Sequence, residues 1–72
     1  MRKAIQSTLK QVNSKITVLM LRKTDLILAK LVKNLTDETK RELNKELWDI
    51  EKNIRELKTQ KRALTSLLIG TL

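Results

Sequence analysis

Between Leu43 and Leu68 the apolar residues keep a beat of four and three: Leu43, Leu47, Ile50, Ile54, Leu57, then Lys61, Leu64 and Leu68. That spacing, held for nearly four heptads, lays one stripe along an α-helix, and the two-residue period of a strand cannot produce it. The ends of the helix are legible too. Thr36 suits a side-chain N-cap, Asp37 and Glu38 fall in the first turn where the helix dipole favours negative charge, and Gly70 can take the left-handed conformation that closes a helix. The spacing predicts a helix over about 37–69, roughly 50 Å long at 1.5 Å per residue. Proline is absent and Gly70 is the only glycine, so sheet-rich folds with many tight turns are disfavoured. Leu43, Leu47, Ile50, Ile54, Leu57, Leu64 and Leu68 are expected to form an oligomer seam. Lys61 interrupts it, either laying its stem along the stripe or limiting register and assembly size.

The first half carries the same beat through Ile5, Leu9, Val12, Ile16 and Leu19. After Met20 the pattern shifts. Leu21, Ile27, Leu28, Leu31, Val32 and Leu35 centre about 100° further round the helix, with Leu26 apart from them. A straight helix cannot present both sets to one partner. A break or kink is therefore expected at "RKTD", residues 22–25, with Thr24 capping a new helix. Similar chemistry recurs in "KNLTDE", where Asn34 suits the left-handed position after a helix end. Three segments result, about 3–22, 25–34 and 37–69, the first two being one kinked helix or two. The β-branched Ile16, Thr17 and Val18 permit a strand over "KITVLML". Leu19 and Leu21 argue against it, because they put apolar side chains where a DNA-reading ribbon carries polar ones.

Disulfides and zinc sites are excluded as staples, because cysteine and histidine are both absent. A 72-residue chain without staples needs very regular helix packing or a second copy to reach useful stability. Tyrosine is missing as well, and one glycine cannot make a phosphate-binding loop, so neither an enzyme nor a cofactor is expected. The carboxylates of Glu42, Asp49, Glu51 and Glu56 read as solvated helix-face ion pairs, for example with Lys45, Lys52 and Arg55. Glu46 alone has no basic residue three or four positions away. The longest apolar run, "ITVLML", is far short of the ~20 residues that cross a bilayer. No secretory signal is recognisable, and a cytoplasmic setting without a transmembrane segment is expected.

Net charge is +8, and it is unevenly placed. Residues 1–35 carry eight basic residues against Asp25 alone, whereas residues 36–72 carry eight against seven acids. Lys15, Arg22 and Lys33 fall together on a helical wheel with Lys23 and Lys30 adjacent, a surface suited to a polyanion by charge alone. Trp48 is the only aromatic residue and lies one position off the seam, among Lys45, Lys52 and Arg55. It can cover the margin of the core, anchor a protein contact or stack on a base. The favoured expectation is partial exposure, with one face over the seam and the other offered to a protein.

The fold expected is all-α: a single domain over 1–72, an antiparallel helical hairpin with a kinked or broken first arm, self-associating into a helical bundle. Leu64, Leu67, Leu68, Ile69 and Leu72 add an apolar cluster at the tail. The functional expectation is a non-catalytic helical protein-interaction module acting as a homo-oligomer. The alternative is a small basic nucleic-acid-binding protein that contacts the phosphate backbone without strong sequence readout.

Overall fold

The computed structural model describes residues 1–70, and Leu72 of the tail cluster lies outside them. Two helices, α1 (Arg2–Lys30) and α2 (Asp37–Gly70), pack side by side as an antiparallel hairpin. The result is a rod measuring 55 × 14 × 12 Å. Short loops between helices favour antiparallel neighbours, and the connection here spans only residues 31–36.

The turn is built by local chemistry. The last turn of α1 tightens as Leu31 N–H donates to Leu28 O at 3.0 Å and Val32 N–H donates to Ala29 O at 3.2 Å, bonds that satisfy carbonyls the α-helical ladder leaves open. Asn34 then takes φ 68°, the left-handed position expected of it. Thr36 caps α2: Thr39 N–H donates to its Oγ1 at 3.1 Å, with Asp37 and Glu38 in the first turn. Gly70 does not close the helix in a left-handed conformation. It is still helical and its φ is not positive.

The first arm departs from expectation at the point where the sequence is ambiguous. α1 runs unbroken through Arg22–Asp25 and ends at Lys30, four residues before the expected limit. Thr24 caps nothing; its hydroxyl donates to Met20 O at 3.1 Å inside the continuous helix. No strand forms over 15–21, which is helical throughout. The reason lies in Lys23, which extends the beat as Val12, Ile16, Leu19, Lys23 and Leu26. Its stem fills a seam position while its ammonium reaches Glu51 Oε1 at 3.6 Å. The helix keeps its phase, and Leu26, apart from the other apolar residues in the sequence, is only 4 % exposed. Leu21, Ile27, Leu28, Leu31 and Val32 point outward instead.

The core is thin. Leu26 packs with Leu47, Ile50 and Ile54, flanked by the half-buried Leu19 and Leu43; Val12 and Ile16 extend the buried line along α1. A compact domain of this length has a radius of gyration of about 11 Å, whereas the hairpin has 16.5 Å. It exposes 5931 Å², against about 4600 Å² for a compact protein of 8.4 kDa. Folding thus removes only about half of the unfolded chain's surface from water.

Candidate interaction faces

The expected oligomer seam is occupied within the chain. Leu47, Ile50 and Ile54 are buried against α1, and Leu43, Leu57, Leu64 and Leu68 are half-buried. Because this stripe faces α1, the opposite side of α2 faces water. Arg41, Lys45, Trp48, Lys52, Arg55, Thr59 and Arg62 recur there at intervals of three or four and are all exposed. They form one ridge. Trp48 is 59 % exposed, too open to act as a seal on the core margin. Lys52, one turn later, holds its ammonium 5.8 Å from the centre of the indole ring. A cation–π contact at such an open site contributes about 0.5–1 kcal/mol. The contact draws cation and ring together into one composite surface flanked by Lys45 and Arg55. The acids Glu42, Asp49 and Glu56 form a second exposed row beside it.

The basic residues of the first half are dispersed. Arg22 Nη2 donates to Glu46 Oε1 at 2.7 Å and Arg22 Nε to the same oxygen at 3.3 Å. The hydrogen bond and then the charge of Glu46 push the Arg22 guanidinium above its already high ordinary value, so it stays protonated at any pH the fold meets. Lys23 is paired with Glu51. Lys33 lies beyond the end of α1, so the helical wheel that grouped it with Lys15 and Arg22 does not apply. Lys15 and Lys30 remain exposed on α1. Of the five residues expected to bind a polyanion, two are tied to carboxylates of α2 and a third has left the helix.

The expected pairs Glu42–Lys45, Asp49–Lys52 and Glu51–Arg55 do not form. Among the described residues, both ion pairs cross from α1 to α2. The signal for the stronger one was present in the sequence. Glu46 is the carboxylate of the group with no basic neighbour along its own helix, and it is the one that reaches across. These pairs fix the register of the two arms more than their stability, since the side chains of Arg22 and Glu46 are 54 % and 45 % exposed and water screens them.

A further face was hidden by the expectation of a break. Val18, Met20, Leu21, Ile27, Leu28, Leu31 and Val32 leave an apolar surface on the outside of α1 and the turn, with exposures of 46–74 %. An open furrow between the helices, lined by residues such as Lys15, Val18, Leu19, Glu56 and Leu57, meets the edge of this face at Val18. No group of three or more acidic, histidine or cysteine side chains suited to a metal ion occurs among the described residues. No helix among them is long and apolar enough to cross a membrane. The comparisons with known proteins return no match: no family model, no curated protein and no solved structure is similar to this chain.

Proposed function

We propose that this chain is a non-catalytic helical interaction module that works as a homo-oligomer and presents the outer ridge of α2 to another protein. The observation that carries this reading is the placement of Trp48. The sole aromatic side chain stands open on the helix face opposite the core, with Lys52 drawn to its ring and Lys45 and Arg55 beside it. A tryptophan ringed by cations has the composition of an interface hot spot. The cations suit a partner with an acidic surface. Binding of a phosphate backbone by the first half has less support, because Arg22 and Lys23 already meet Glu46 and Glu51.

Affinity capture from cell extract, with and without nuclease, tests the reading. A protein retained after nuclease treatment and lost with Trp48→Ala is the expected result. Material removed by nuclease, lost with Arg22→Glu plus Lys30→Glu and indifferent to Trp48→Ala, would overturn it in favour of nucleic-acid binding. Retention indifferent to both variants also overturns it.

A further inference from the structure

We propose that the outer face of α1 is the docking surface for a second copy of this chain, the two α1 helices packing antiparallel about a point between Thr24 and Asp25. The inference rests on the homo-oligomer part of the reading above and assigns it a face, a partner and a geometry. It does not depend on the ridge of α2.

The first support is area. Val18, Leu21, Ile27, Leu28, Leu31 and Val32, with Met20 at the edge, are 46–74 % exposed. At about 60–120 Å² for a whole aliphatic side chain, they offer roughly 250–500 Å² of apolar surface. A standard interface takes about 800 Å² from each partner, a little over half of it non-polar. At the upper end of that range the face supplies the apolar share of one ordinary protein contact. No comparable patch exists on α2, where Trp48, Leu67 and Ile69 are open but point in different directions.

The second support is that the face can be buried without stranding polar groups. Its central line is Thr17, Leu21, Thr24 and Leu28, a 4,3,4 beat that forms a second seam on the far side of α1, with Leu31 at the helix C-cap continuing it. Both threonines have already satisfied their hydroxyls: Thr17 donates to Asn13 O at 3.0 Å and Thr24 to Met20 O at 3.1 Å. They can turn methyl groups to a partner, and the small side chain at the centre lets two helices approach closely. Asp25 is the only charged residue among positions 24–29 and lies at the rim of the strip.

Charge and symmetry select the occupant. The chain carries +8, yet its basic residues avoid this strip, so an acidic partner finds nothing here to recognise. A second copy does fit. Antiparallel pairing about the 24–25 point sets Val18 against Leu31 and Leu21 against Leu28 of the other copy, and it places Asp25 against Thr24. It opposes the two helix dipoles. A parallel arrangement would bring Asp25 against Asp25 and stack the two Lys-rich starts of α1.

Because the chain has no cysteine, single introduced thiols report the geometry directly. Thr24→Cys should form a disulfide dimer on mild oxidation. Val18→Cys should not, since its two copies would lie roughly 20 Å apart along the axis, beyond the ~7 Å a disulfide spans. Light scattering at tens of micromolar should give twice 8.4 kDa for the parent and for Leu67→Glu, but 8.4 kDa for Leu28→Glu with its helical circular dichroism retained. Efficient cross-linking of Val18→Cys with itself would overturn the antiparallel geometry. A Leu28→Glu protein that remains dimeric would overturn the face while leaving self-association intact. A stably folded monomeric parent would overturn both.

Discussion

Trp48 and Leu26 exchange the roles that side-chain size alone would give them. The largest apolar side chain stands in water, and a leucine that belongs to neither apolar set of the first half is the most buried core residue. Two substitutions measure this. Leu26→Ala should destabilise the hairpin by about 2–4 kcal/mol, as truncation of a buried leucine does; chemical denaturation reads it. A loss below about 1 kcal/mol would mean that the Leu26–Leu47–Ile50–Ile54 cluster is not the centre of the fold. Trp48→Ala should change stability by no more than about 1 kcal/mol, the loss of its open cation–π contact with Lys52 and no core packing. The emission of Trp48 should be red and accessible to an aqueous quencher. Blue-shifted, unquenched emission would place the ring in an interface or a core that the isolated hairpin does not have.

At the scale of elements, the turn is the most locally determined part of the molecule. Thr36 accepts the Thr39 N–H and Asn34 stands at φ 68°, so both act without help from the core. Thr36→Ala should lower stability by about 1 kcal/mol, the usual effect of removing a threonine or serine cap. Asn34→Val should lower it by about 1–2 kcal/mol, because a β-branched residue is strained in the left-handed region, whereas Asn34→Gly should be tolerated. Thermal melts of the three variants check the ranking. Asn34→Val melting with the parent would show that the connection re-forms by another route.

The whole molecule is a thin rod, and the proposed self-association would make its stability depend on concentration as well as on charge. Its melting temperature should rise with protein concentration, as it does for any fold coupled to association; a constant value across a hundredfold range would contradict self-association. Salt should act in a direction opposite to that of a fold held by ion pairs. The half-exposed bridges of Arg22 and Lys23 contribute little, while sixteen basic residues against eight acidic ones repel each other. Screening this excess should raise the melting temperature between low and moderate salt. Ile54→Asp tests the core that both arms share. A carboxylate buried there without a partner should abolish the hairpin near neutral pH, with recovery only where the group is protonated.

Much of the architecture was readable residue by residue. The 4,3 beat from Leu43 to Leu68 requires a long helix, and Asn34, Thr36, Asp37 and Glu38 define where the chain turns and restarts. These features act within a few residues of chain, so no distant contact can override them cheaply. The phase of α1 was different. Its second half carries two candidate stripes, one through Lys23 and Leu26 and one through Leu21, Leu28 and Leu31, and local periodicity favours the more apolar one. Only the presence of α2 decides between them. Its seam is already in line with Val12, Ile16 and Leu19, Glu51 stands ready for the Lys23 ammonium, and Glu46 takes Arg22. Keeping the phase places one half-buried lysine stem at the seam and leaves an apolar face outside. Breaking the helix would have cost several backbone hydrogen bonds, so the unbroken helix wins and the surplus apolar stripe is turned to the surface.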